Sequence, residues 1–170
     1  MTSDEILRYL KDLNDKLKVN EVNGELSIYG GAVMCMCFNA RPSTNDVDGW
    51  FAPKQEMYDA IHAVAYDNGL PDDWLNDAMK GFVSSRDDTI IFLELSNLKI
   101  YRPRDEYQLA MKLMACRIGN DENDEYDIRF LLERIGVEST EQAEDILCKY
   151  FPSNMVLPKT HYLLLEILGR

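Results

Sequence analysis

The chain has 170 residues, 46% of them hydrophobic, with 30 acidic against 18 basic side chains and a net charge of -12. That length suits about one domain with a real core, and the hydrophobic share excludes an intrinsically disordered chain. The charge excludes a reader of duplex DNA, because phosphate binding depends on Lys and Arg neutralising charge and no basic stripe is present.

The first element is an amphipathic helix. Thr2 and Glu5 have capping-box spacing, and Ile6, Leu10, Leu13 and Leu17 recur at helical period. Asn23-Gly24 turns the chain into a strand over 26–29, which Gly30-Gly31 ends; a short buried helix is expected over 32–38. Pro42 and Asn45 mark a loop before a strand over 47–51. Pro53 suits a first helical residue, Met57, Ile61, Val64 and Ala65 form the buried stripe, and Gly69 closes the helix. Pro71 then opens a further short helix through Trp74 and Met79, with Phe82-Val83 as a brief strand. Strands over 90–95 and 98–101 flank Ser96-Asn97 as a hairpin.

From Pro103 the pattern becomes helical. Asp105 and Gln108 are expected to cap a helix bearing Leu109, Met111, Leu113 and Met114. Asp124 begins a second, stopped by Gly136; Ser139 and Gln142 frame a third, and Pro158 starts a fourth. The expected fold is α+β: a small mixed sheet flanked by helices over 1–104, then a C-terminal helical region over 105–170 packed on it as one compact unit. No apolar run reaches the roughly 18 residues of a membrane span. The acidic start Met1-Thr2-Ser3-Asp4-Glu5 lacks the features of a signal peptide, and the four cysteines suit reduced thiols, so a cytoplasmic location is expected.

Two short patterns carry chemistry. Gly30 and Gly31 lie between a strand and a helix, where glycine permits positive φ and close approach of phosphate to backbone; two glycines also make an ordinary tight turn. Asp46 and Asp48 share one strand face, with Cα atoms roughly 6.5 Å apart. Paired carboxylates suit Mg²⁺, whereas in a chain this acidic an Asp-x-Asp also arises by chance. Neither His62 nor His161 has zinc-ligand spacing, Cys35 and Cys37 sit in an apolar run, and no Walker A or Rossmann glycine pattern occurs. Trp50, Phe51 and Trp74 are either base-stacking aromatics or core.

In order, Gly30-Gly31, Arg41, Thr44 and Asp46-Val47-Asp48 resemble the signature of the nucleotidyltransferase superfamily that includes DNA polymerase β. The resemblance implies that Gly30 and Gly31 hold the phosphates of a nucleoside triphosphate, flanked by Arg41 and Thr44. It also implies that Asp46 and Asp48 bind two catalytic Mg²⁺ ions. Many members carry a third carboxylate on a later strand, and Glu94 is the candidate here, as metal ligand or base; otherwise it is a strand-edge acid. The helical half is similar to nucleotidyltransferase-like toxins of bacterial abortive-infection and toxin–antitoxin systems. Ala110-Met111-Lys112-Leu113, Arg117 and Asp124-Glu125-Tyr126-Asp127-Ile128 carry that likeness, as does Leu70-Pro71-Asp72-Asp73-Trp74-Leu75-Asn76-Asp77. It implies that Lys112 supplies positive charge to the triphosphate and that Asp127 stabilises the lysine or the site.

The resemblance thus implies transfer of a nucleoside monophosphate from a nucleoside triphosphate to an acceptor that is a tRNA, a protein or a small molecule, and a possible antitoxin partner. A degenerate nucleotidyltransferase fold that only binds nucleotide or protein, or an acidic partner-binding protein, are the alternatives.

Overall fold

A computed structural model describes residues 1–116 and 122–169. Among them are seven α-helices and a five-stranded mixed sheet, an α+β architecture. Helix α1, Ser3–Val19, starts at the expected capping box: Glu5 N–H donates to the Thr2 hydroxyl, and Thr2 N–H donates to the Glu5 carboxylate at 2.7 Å. These bonds hold the Glu5 carboxyl below the usual carboxylate range. β1 is Gly24–Tyr29, α2 is Gly30–Met36, β2 is Val47–Ala52 and α3 is Lys54–Asn68. Gly69 ends α3 in the left-handed region, φ +65°, where L side chains are strained.

The chain forms two compact units: 1–81 with 89–102, and 82–88 with 103–170. The sheet lies in the first, with strand order β3-β2-β1-β5-β4. β3 is Leu75–Asn76, β4 is Thr89–Glu94 and β5 is Leu98–Pro103. β1 pairs antiparallel with β2, placing Leu26 opposite Phe51 and Tyr29 opposite Asp48. It pairs parallel with β5, placing Gly24 opposite Leu98 and Ser27 opposite Tyr101. β2 in turn pairs parallel with β3, placing Asp48 opposite Asn76.

Alternation divides the two sheet faces. Leu26, Ile28, Val47, Phe51 and Ile100 join Ile6, Leu10, Leu13 and Leu17 of α1 and Met57, Ile61 and Val64 of α3 in one hydrophobic core. Residues opposite one another across a strand pair share a face, so Ser27, Tyr29, Asp48, Trp50 and Asn76 belong to the other face.

The segment expected to be helical from Pro71 to Met79 is instead an irregular turn, the two-residue strand β3 and a 3₁₀ turn, Ala78–Gly81. Trp74 accounts for the difference. It is 1% exposed, its indole N–H donates to the Ile61 carbonyl at 3.1 Å, and its own carbonyl accepts from Val47 N–H at 2.8 Å. Those ties hold the backbone extended against β2. Phe82-Val83 forms no strand either, and its segment belongs to the second unit. There Ser84 N–H donates to the Tyr107 hydroxyl at 2.8 Å, and Asp88 accepts from the Tyr150 hydroxyl at 2.9 Å.

The second unit contains α4, Asp105–Ala115; α5, Glu122–Ile135; α6, Thr140–Tyr150; and α7, Pro158–Leu168. Arg104, not Asp105, is the N-cap of α4, and it gives no side-chain cap. Asp105 opens the helix and pairs with Arg134 at 2.8 Å. Ser139 caps α6 by accepting from Gln142 N–H, and Gly136 follows α5 with φ +81°. Tyr107 is fully buried and stacks on Tyr150; burial pushes its hydroxyl pKa up to about 12.

All four cysteines are free thiols. Cys35 and Cys116 are buried, and burial raises both thiols above their ordinary values, whereas Cys148 is exposed. Thiolate is the reacting species. Titration of the native protein with an aromatic disulfide should therefore label Cys148 first and leave Cys35 and Cys116 until denaturant is added. Early labelling of Cys35 would contradict this packing.

Candidate functional site

The chain between β1 and β2 builds the site. Tyr29, the last residue of β1, is extended and is the N-cap of α2; the chain then turns sharply at Gly30, whose φ is +61°. A Cβ at Gly30 would lie 3.1 Å from Asp48 Oδ2. One at Gly31 would lie 2.6 Å from Thr44 Oγ1 and 3.5 Å from an Arg41 guanidinium nitrogen. At Gly31 the Thr44 hydroxyl approaches closer than a Cβ would allow, with the Arg41 guanidinium at ordinary contact distance. At Gly30 the Asp48 carboxylate would make a tight contact with a Cβ, and the positive φ itself favours glycine.

The Thr44 hydroxyl also donates to the Asp46 carbonyl at 3.2 Å, which fixes the loop entering β2. Asp46 precedes β2 and Asp48 lies within it; both are partly buried. Gly30, Gly31, Arg41, Thr44, Asp46 and Asp48 thus gather at the Tyr29 end of β1.

Glu94 does not join them. It ends β4 beside the turn to β5, exposed, with its carboxylate 3.1 Å from Lys99 Nζ. Because Leu98 lies opposite Gly24 and Lys99 opposite Glu25, that turn sits at the Gly24 end of β1. At 3.2–3.4 Å per residue the two ends of the strand are roughly 16 Å apart. A surface hollow of about 220 Å³ there is lined by Glu94, Asn23, Glu25 and Asn97. The expectation that Glu94 supplies a third carboxylate is therefore corrected: hairpin register sends it to the wrong end of the sheet, where Lys99 holds it.

The neighbour of the aspartates is Asn76. It stands opposite Asp48 on β3, and its amide N–H donates to Asp46 Oδ2 at 3.2 Å. Sequence reasoning missed it by extending a helix through 71–79. The available signal was the turn chemistry of Asn76, whose side-chain oxygen accepts from Ala78 N–H two residues on, at 3.0 Å.

Of the three aromatic candidates, Phe51 and Trp74 are core, at 0% and 1% exposure, while Trp50 is exposed on the Asp48 face. Lys54 Nζ lies 6.0 Å from the Trp50 ring centroid and 3.2 Å from Asp77 Oδ2. Hydrogen bonds from Lys54 and Tyr58 hold the Asp77 carboxyl below its usual range despite the opposing effect of burial.

Lys112 and Asp127 lie in the second unit. Lys112 Nζ is 2.7 Å from Asp127 Oδ2 and 3.0 Å from Asp124 Oδ1. Asp127 is fully buried, and the Lys112 side chain is 10% exposed. Arg117, expected beside them, lies outside the described residues.

Two partly buried carboxylates fit Mg²⁺, which takes one or two protein carboxylates alongside phosphate and water oxygens. Among the described residues no three His, Cys, Asp or Glu side chains converge to hold a metal. No described helix is long and apolar enough to cross a membrane. The chain matches no protein-family model, no curated protein and no solved structure.

Proposed function

We propose that this protein is a nucleotidyltransferase that moves a nucleoside monophosphate from a nucleoside triphosphate to an acceptor. The observation that carries the reading is the convergence of Gly30 on Asp48 and of Gly31 on Thr44 and Arg41, with Asp46 beside them. A lone glycine pair or a lone Asp-x-Asp would not support it. Asp46 and Asp48 would hold Mg²⁺, Gly30 and Gly31 would admit the triphosphate to the backbone, and Arg41 and Thr44 would contact its oxygens. Mg²⁺ held there would supply charge stabilisation to the transferring phosphoryl group. An acceptor hydroxyl or phosphate oxygen would attack the α-phosphorus, forming the new P–O bond as the α–β bridging bond breaks and pyrophosphate leaves, with the proton of a hydroxyl acceptor passing to water. The acceptor is a tRNA, a protein or a small molecule. A role for Lys112 and Asp127, and the place of the protein as a cytoplasmic toxin with an antitoxin partner, rest on the sequence resemblance alone.

Calorimetry with ATP, CTP, GTP and UTP, each with and without Mg²⁺, tests the site. Binding of at least one nucleotide should require Mg²⁺ and fall about 100-fold or more in Asp46→Ala and Asp48→Ala, as loss of a charge-assisted contact implies. Mg²⁺-dependent binding that survives both substitutions would remove the proposed site.

A second reading is a nucleotide-binding or protein-interaction module without turnover. It is favoured by one observation: the side chain beside both aspartates is the amide of Asn76 rather than a carboxylate. Transfer of label from α-labelled nucleotide to a host lysate separates the two readings.

A further inference from the structure

The geometry points to Asn76 as the residue that positions Asp46 for a cation, filling with an amide the third place around the Asp46 and Asp48 pair. This rests on the reading of those aspartates as metal ligands, and it concerns a residue on β3, distant in sequence from both.

The Asn76 amide is fixed by three bonds. Its oxygen accepts from Ala78 N–H at 3.0 Å, so its nitrogen must face the other way. That nitrogen donates to Asp46 Oδ2 at 3.2 Å and to the Asp73 carbonyl at 3.3 Å. The backbone beneath it is fixed as well, because β3 pairs with β2 in a register that sets Asn76 directly opposite Asp48. The packing of Trp74, two residues earlier, holds that strand in place.

A donor on one oxygen of a metal-binding carboxylate orients the group and leaves its other lone pairs for the ion. Outer partners of this kind typically change metal affinity by about 10–100-fold. An amide is also the only isostere of aspartate that can do this here without like-charge repulsion. A carboxylate in its place would meet Asp46 at hydrogen-bond distance and would need a cation between them.

The isostere supplies the test. Asn76→Asp keeps the oxygen that caps Ala78 N–H and replaces the nitrogen that faces Asp46 and the Asp73 carbonyl with an oxygen. Asn76→Ala removes both. Full-length wild type, Asn76→Ala, Asn76→Asp and Asp46→Ala, stripped of metal, are titrated with Mn²⁺ alone. Free Mn²⁺ is read by electron paramagnetic resonance, and Tm is measured with and without Mn²⁺.

Asn76→Ala is expected to bind Mn²⁺ about 10–100-fold more weakly than wild type. Asn76→Asp is expected to melt lower than wild type without metal, bind Mn²⁺ about tenfold more tightly, and show the larger Mn²⁺-dependent rise in Tm, since a third carboxylate raises ligand charge. Tighter binding by Asn76→Asp supports the inference even if wild type is too weak to measure.

Wild-type affinity in Asn76→Ala, or affinity no better than wild type in a folded Asn76→Asp, overturns it while leaving Asp46 and Asp48 as ligands. Unchanged binding in Asp46→Ala, or no binding by any of the four, overturns both this inference and the metal reading it rests on. If Asn76→Ala fails to fold, Asn76→Asp carries the test alone.

Discussion

Replacing Lys112 with Met should destabilise the protein by about 3–5 kcal/mol, the usual cost of removing one member of a buried ion pair. Met keeps most of the aliphatic stem and removes only the charged end. What remains is Asp127, fully buried, facing the space that the ammonium filled, with Asp124 adding a second negative charge close by. Water cannot readily replace the lysine at 10% exposure.

The effect belongs to the pair, not to the lysine. Lys112→Met combined with Asp127→Leu should recover much of the loss, because exchanging a buried ion pair for apolar groups is often neutral. Urea denaturation of the four members of this cycle measures the coupling. A single-variant loss below about 1 kcal/mol would mean that the pair is solvated.

Trp74→Ala should cost about 3–5 kcal/mol, the usual range for truncating a buried aromatic residue. Trp74 is at 1% exposure, meets Tyr9 edge-on with centroids 5.7 Å apart, and spends its indole N–H on the Ile61 carbonyl. Trp74→Phe should cost less, since it keeps an aromatic ring and loses one hydrogen bond, typically about 1 kcal/mol. Both losses are measurable by calorimetric melting. The smaller variant also reaches the site, because Trp74 supplies the carbonyl that ties β3 to β2. Amide signals of Val47 and Asn76 should therefore shift in Trp74→Phe. If they do not, the tryptophan is a core side chain with no hold on the site.

Legibility in the sequence followed the range of the interaction that decided each element. The start of α1, the cap of α6 and the glycine ends of α3 and α5 are local hydrogen-bond motifs spelled out within four or five residues. All were readable without knowing what lay nearby. The gathering of Gly30, Gly31, Arg41, Thr44, Asp46 and Asp48 was legible for a related reason: one continuous stretch carries them all. Glu94 and Asn76 were not legible, because each is placed by strand pairing with distant chain. A hairpin can be recognised from its turn, but which end of β1 that turn meets depends on the Gly24 to Leu98 pairing. Likewise, Pro71 suits the start of a short helix through Trp74 and Met79, and the burial of Trp74 against α3 overrules it. Asp105 has the composition of a cap, but its partner proved to be Arg134 on another helix.

The pairing of Tyr29 with Asp48 also determines where the chain can change length. Ahead of Arg41 the loop between α2 and β2 can gain or lose a residue at small entropic cost, and both strands keep their register. Inside β2 the same change is of another kind. With a side-chain period of two, one residue added between Asp48 and Phe51 would turn either the aspartate toward the core or the phenylalanine toward water. Insertions should therefore be tolerated ahead of Arg41 and excluded within the strand, so the strand acts as a ruler that fixes which side of the sheet carries charge.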